Sequence, residues 1–248
     1  MDFSELFKCS GIVKYSPDGK FIANSAGYRL VIKNVETLQI VHLLNCIDEI
    51  AQIEWSPDST LVLAASYKRA SVEVFSIQHP SFKATIEEGA AGVAYAQFSP
   101  DSRHILVTSD FQLRITIWSL LGQKTVPLAH LKYPKFASRG IDFTKNDSGK
   151  YMALAERRSD CRDYISIICT DTWELVKHFA TNTKHLHDVK WSACGRYLCV
   201  WDSHLHYRML VYSADGASVL CDYSAYENAL GLSTVQWSPN NKFLALGS

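Results

Sequence analysis

The sequence predicts an all-β fold of the propeller class, with about five and a half four-stranded blades. Three observations lead there. A unit built on an aromatic residue and a Ser-Pro-Asp-Gly-like turn recurs six times along the 248 residues. Its copies lie 40, 43, 45, 48 and 46 residues apart, a period that accommodates four short strands. Short apolar runs and alternating segments fill the space between turns.

The anchoring aromatics are Tyr15, Trp55, Phe98, Phe143, Trp191 and Trp237. Two residues before them stand Val13, Ile53, Ala96, Ile141, Val189 and Val235, which makes each preceding segment an apolar first strand. Four copies add Ile50, Val93, Leu186 or Leu232 five residues before the anchor. In the turn, proline sets φ while Asp and Gly suit the corner. A second strand follows as a short apolar run, such as Leu61–Ala65 or Ile105–Thr108. A second turn leads to an alternating third strand: Leu30–Asn34, Ser71–Ser76, Arg114–Ser119, Tyr164–Cys169 and Arg208–Ser213. Segments such as TLQIVHLL and TWELVKHF form the fourth. A β-sandwich also spaces short strands regularly, but it has no need to repeat one sequence unit. Radial blades also leave few sheet edges open.

The sixth copy offers a first strand around Leu232–Trp237 and a second at Phe243–Ser248, with no residues left for a third and fourth. The expectation is one domain over residues 1–248, truncated in its sixth repeat and open as a ring. An unpaired ladder edge invites association. The isolated chain should therefore self-associate, and a monodisperse monomer in light scattering would overturn this.

With 25 Lys+Arg against 25 Asp+Glu, the balanced charge argues against a generic nucleic-acid or anionic-membrane binder. The N-terminus lacks a basic stretch followed by a long apolar one, so it does not read as a signal peptide. No apolar run approaches the ~20 residues of a membrane span. The seven cysteines form no C-x-x-C pair, and several sit in apolar strands, which points to a reducing compartment.

Motifs for acyl transfer, dinucleotide binding, phosphate cradling, zinc proteolysis and EF-hand calcium are absent from the sequence. Glu87, Glu88 and Asp101 read as charges in loops, and no cofactor is expected. His185 and His187 precede the fifth anchor, and His204 and His206 occupy the second turn of the same repeat. Four converging imidazoles would suit zinc, with Asp188 and Asp202 orienting them; the alternative is polar loop residues bonding the blade. The second turns combine aromatic residues with arginine: Tyr28 with Arg29; Tyr67 with Lys68 and Arg69; Phe111 with Arg114; Arg157, Arg158 and Arg162 with Tyr164; Tyr207 with Arg208. These eight cations outnumber Asp110, Glu156, Asp160, Asp163 and Asp202. One basic–aromatic rim binding an acidic or phosphorylated peptide is the functional reading. The alternative is that these side chains stack within the blades. A hydrolase would need carboxylates or metal ligands along the central channel, where the strands offer mostly apolar and small residues.

On these turns and aromatics, the chain resembles the WD-repeat family over its whole length. It departs from the family pattern in lacking a Gly-His pair at any blade start. In place of the closing Trp-Asp stand Lys33-Asn34, Phe75-Ser76, Trp118-Ser119, Ile168-Cys169 and Tyr212-Ser213. The Trp-Ser-Asp-His hydrogen-bond set of the family is thus incomplete, with Ser109, Asp110 and Trp118 coming nearest. The resemblance implies that Phe3–Lys8 serves as an outer strand of the last blade. Whole segments, namely NVETLQI, AERRSDCRDYISI, LRITIWSL and YSAYENALGLSTVQWSP, resemble WD-repeat proteins of centrosomes and spindle poles. That likeness implies a cytoplasmic, cytoskeletal, non-enzymatic adaptor working with a coiled-coil satellite partner. It would anchor microtubule minus ends and support spindle organisation and cilium assembly, without nucleic-acid contact or membrane insertion. A subunit of a ribonucleoprotein complex is the alternative.

Overall fold

The computed structural model describes residue 9 and residues 11–122, 125–145, 149–215, 218–224 and 231–247. The segment Phe3–Lys8 and Ser248 lie outside these described residues. The chain forms two compact units, Met1–Leu131 and Lys132–Ser248.

The first unit holds three four-stranded antiparallel blades. They are β1 (Val13–Tyr15), β2 (Phe21–Ala26), β3 (Arg29–Asn34) and β4 (Ile40–Asn45); β5 (Gln52–Trp55), β6 (Leu61–Ser66), β7 (Ser71–Ser76) and β8 (Lys83–Glu87); and β9 (Tyr95–Phe98), β10 (His104–Thr108), β11 (Arg114–Ser119) and β12 (Val126–Lys132). The second unit holds β13 (Ile141–Phe143), β14 (Tyr151–Arg157), β15 (Asp163–Cys169) and β16 (Leu175–Ala180), then β17 (Leu186–Trp191), β18 (Tyr197–Asp202), β19 (Arg208–Ser213) and β20 (Val219–Ser224). Its last sheet contains β21 (Thr234–Trp237) and β22 (Leu244–Gly247), and no third strand pairs with β22 among the described residues. The repeat thus marks every blade, including the two-stranded sixth sheet.

The first turn explains why the unit repeats. Ser16 donates to Asp18 at 2.6 Å, and the Lys20 amide donates to the same oxygen at 3.2 Å. Ser56 with Asp58 and Ser238 with Asn240 repeat this at 2.6 and 2.7 Å. The corner residue is left-handed in all six copies, namely Gly19, Ser59, Ser102, Gly149, Gly195 and Asn241, which is why glycine appears there but is not obligatory. These turns also link neighbouring blades: the Asp18 amide donates to Ser59 Oγ and the Asp58 amide to Ser102 Oγ. The anchor indoles do the same, with Trp55 Nε1 donating to the Lys14 carbonyl and Trp237 Nε1 to that of Lys190.

Apolar faces of adjacent blades pack together within each unit. Leu30, Ile32, Ile53, Trp55 and Val62 form one layer, and Leu63, Val72, Val74, Phe98 and Ile105 the next. In the second unit Ile165, Val189, Trp191, Leu198 and Leu210 make the corresponding layer. All seven cysteines are free thiols, and burial pushes Cys46 and Cys199 up to about 12. Among the described residues, no helix is long and apolar enough to cross a membrane.

Candidate functional site

The second turn of the first blade lies beside the loop that enters the second. In the first unit, Gly27 bends the chain with a φ of 64° and presents half-exposed Tyr28, with the Arg29 guanidinium 5.5 Å from its ring centre. The Cys46 amide donates to the Tyr28 carbonyl at 2.8 Å, which ties this turn to the loop after β4. In the second blade, Tyr67 donates to Gln52 Oε1 at 3.0 Å, Lys68 pairs with Glu49 at 2.7 Å and Arg69 with Asp48 at 3.6 Å.

The third blade departs from this pattern. Phe111 and Gln112 adopt φ of 57° and 52°, the left-handed region that a bulky residue enters at a cost of order 1–3 kcal/mol. Phe111 is 89% exposed and Leu113 63% exposed, so no packing within this unit offsets that cost. The turn is nevertheless well seated. Arg114 bonds Ser109 through its backbone and Glu88 through its guanidinium at 3.3 Å. Gly92 touches the turn so closely that a Cβ there would lie 2.0 Å from Asp110 Oδ2.

In the second unit, Arg158 lies over the Tyr164 ring at 5.3 Å and pairs with Glu156 at 3.4 Å. Tyr164 donates to Asp160 at 2.6 Å, and Arg157 reaches the Cys161 carbonyl at 3.5 Å. Arg208 forks onto Asp222 at 2.9 and 2.6 Å and donates to the Asn182 carbonyl at 2.6 Å. The adjoining turn carries exposed Leu205 and left-handed Tyr207. Of the eight predicted rim cations, Lys68, Arg69, Arg114, Arg158 and Arg208 are therefore in ion pairs within their own unit. Arg29, Arg157 and Arg162 are in none among the described residues.

The histidines do not assemble a metal site. His187 Nε2 faces Arg139 Nη1 at 3.3 Å, and burial, then Arg139, His204 and His185, hold its pKa below the ordinary range. Among the described residues, no three His, Cys, Asp or Glu side chains are grouped to hold a metal ion.

One sequence reading is corrected by burial, and one residue read as a loop charge is held by hydrogen bonds. Glu88 is not a solvated loop charge: it is buried, and it accepts from Trp118 Nε1 at 2.7 Å, Thr116 Oγ1 at 3.2 Å and Arg114. Asp101 is likewise engaged: burial raises its pKa, but bonds from His104, Ser99 and the Arg103 amide outweigh this and hold it well below the usual range. Equivalent anchors escaped the sequence reading. Glu73 pairs with Lys83 at 2.6 Å, Asp202 accepts from the Lys184 and His185 amides, and Lys135 pairs with Asp163 at 2.8 Å. An acid inside an apolar strand, as in SVEVFS, was the available signal for Glu73; Lys135 had none.

The first strands are more polar than expected. Gln52 bonds both the amide and the carbonyl of Ala96, and Glu54 accepts from the Phe98 amide at 3.2 Å, so side chains of β5 stitch it to β9. Asp142 on β13 accepts from the Trp191 amide of β17 at 2.6 Å and pairs with Lys190. Apolar alternates such as Ile53 fill the opposite face, which is what the sequence reading had registered. Burial raises Glu54 to about 7 and also raises Asp142.

No family model matches the chain. It is 49% identical over 249 residues to the mouse WD repeat-containing protein WRAP73, covering all of this chain and 52% of that protein. It is 28% identical over 263 residues to the uncharacterized WD repeat-containing protein C32H8.09 of Schizosaccharomyces pombe, covering all of this chain and 53% of that one. The chain thus spans about half the length of the curated relatives it matches. Among solved structures, it is similar to the Cps50 (Swd1) β-propeller domain of Myceliophteria thermophila, with a TM-score of 0.61 at 17% identity over 96% of this chain and 79% of that one. It is also similar to a chain of the mitotic checkpoint complex, with a TM-score of 0.63 at 14% identity over 95% of this chain and 73% of that one. These two likenesses bear on fold alone. Similarity along the whole of this chain to about half of a WD-repeat protein, together with five four-stranded blades and the start of a sixth, gives this chain the fold of a WD-repeat β-propeller.

Proposed function

We propose that the chain is a non-enzymatic protein-interaction scaffold that engages partners through the second turns of its blades. One observation carries the reading: Phe111 is held left-handed and 89% exposed on a firmly seated turn, a conformation that burial against a partner would repay. Tyr28, Tyr67 and Leu113 add apolar surface on the same unit. Arg29, Arg157 and Arg162, which form no ion pair among the described residues, are better candidates for contacts with an acidic partner than Lys68 or Arg69, whose charges are already matched. The segment resemblance supports a finer reading: a role at the centrosome and spindle pole, with a coiled-coil satellite protein, in anchoring microtubule minus ends and in spindle organisation and cilium assembly.

Proximity labelling in dividing cells, comparing wild type with Phe111→Ser, tests both levels. Centrosomal coiled-coil proteins should dominate the wild-type set and fall about thirtyfold in the variant, in line with the ~2 kcal/mol of an aromatic hot spot. The variant should melt as wild type does, since Phe111 packs against nothing. An unchanged set would remove the turn from the interface, and recovery of ribosomal or splicing proteins in place of centrosomal ones would replace the cellular assignment.

A further inference from the structure

The second unit carries a cavity of about 360 Å³ between the turn Cys161–Asp163, the connection from Ala180 to Thr183, and Arg208. Its lining carries two cations and one acid. Asp163 contributes to the wall, but its side chain is only 1% exposed and is engaged by Lys135 and the Leu186 amide. The accessible charged groups of the lining are thus Arg162 and Arg208. Arg162 is exposed and in no ion pair among the described residues.

Arg208 is prepositioned. Its Nε and Nη2 hold Asp222 and its Nη1 holds the Asn182 carbonyl, so the guanidinium plane is fixed while two of its five N–H groups stay unspent. Asp222, which pairs with it, is not among the residues that line the cavity. Asn182 also lines the wall. Thr181 donates to the Asp163 carbonyl, so Thr183 must donate to Thr181 in their 2.6 Å contact; the Thr183 oxygen then meets the cavity as an acceptor. Two guanidiniums around a concave space match a doubly charged tetrahedral oxyanion better than a carboxylate, which can saturate only one of them. The acceptor at Thr183 suits the hydroxyl of a singly protonated phosphate.

We propose that this cavity is a subsite for a phosphorylated serine or threonine side chain on a bound protein segment. The nature of the carrier rests on the scaffold reading; recognition of the phosphate does not. A protein carrier is favoured over a nucleic acid because the chain has zero net charge, with no excess of cations to track a polyanion.

The probe is a short alanine peptide with a central phosphoserine, titrated against the purified chain and compared with the same peptide bearing serine or glutamate. The phosphopeptide should bind at least tenfold more tightly than the serine peptide and about fivefold more tightly than the glutamate peptide. Arg162→Ala should weaken it about tenfold at unchanged melting temperature. Arg208→Lys should weaken it while retaining the charge, because lysine cannot hold Asp222 and the ligand in one plane. Equal binding of the three peptides, or full affinity in Arg162→Ala, would overturn the subsite. Tighter binding of a single-stranded oligonucleotide than of the phosphopeptide would replace a protein carrier with a nucleic acid. The Phe111→Ser variant separates the two proposals: it should lose partners and keep the phosphopeptide, so either result can fail alone.

Discussion

Replacing Lys135 with methionine is expected to destabilise residues 132–248 by about 3–5 kcal/mol. Its ammonium lies 2.8 Å from Asp163 Oδ2 and 2.6 Å from the Leu186 carbonyl, with the two side chains 3% and 1% exposed. Methionine fills similar space but leaves a buried carboxylate supported by the Leu186 amide alone. The Asp163 Oδ1 atom is already without a hydrogen-bond partner, so there is no second contact to absorb the charge. Removing both charges behaves differently, because a well-packed apolar pair avoids the desolvation cost. The double variant Lys135→Met/Asp163→Leu should recover most of the loss. Urea unfolding followed by tryptophan fluorescence reads this unit well, since Trp173, Trp191, Trp201 and Trp237 all belong to it. A single variant within about 0.5 kcal/mol of wild type would show the pair to be dispensable.

Glu54 should make stability fall as pH rises towards the alkaline side of neutrality. Its side chain lies in the seam between β5 and β9 with Gln52 and the Phe98 amide, near Tyr67 and Tyr95, and Lys14 is the nearby cation. Burial lifts its carboxyl from an ordinary 4.5 to about 7. The folded chain therefore keeps a proton that the unfolded chain has released. Stability is full below pH 4.5, declines above it, and is lost as pH passes through about 7. The loss is on the order of 3 kcal/mol once ionisation is complete. Glu54→Gln stays neutral throughout, so it should match wild type near pH 5 and exceed it near pH 8.5. Comparing the two proteins cancels Asp142, whose raised pKa acts with the same sign, and the low-pKa turn residues Asp18, Asp58 and Asp101, which act at the acid end. A stability difference that does not change between those two pH values would place the Glu54 pKa near its ordinary value.

Most of the architecture was legible because it is written locally. A Ser-Pro-Asp-Gly turn is specified by four adjacent residues, and a half-buried strand by alternation over five or six. The predicted third strands accordingly match β3, β7, β11, β15 and β19 to within one residue. The aromatic and basic composition of the second turns was legible for the same reason. What those side chains do was not. Lys68 and Arg69 read as ligands for a partner, and the fold supplies Glu49 and Asp48 to match them.

The sequence by itself thus determined the repeat, the blade and the residues at each turn, all of them properties of contiguous segments. Tertiary structure alone decided which charges are spent and which are free. Glu88 meets Trp118 across 30 residues, and Lys135 meets the Leu186 carbonyl across 51. Contacts of that separation depend on how strands stack rather than on any local pattern. The left-handed, outward-facing backbone at Phe111 belongs with them. An aromatic residue in a turn can pack inward or stand clear, and here the seating of the turn against Gly92 and Glu88 leaves it exposed.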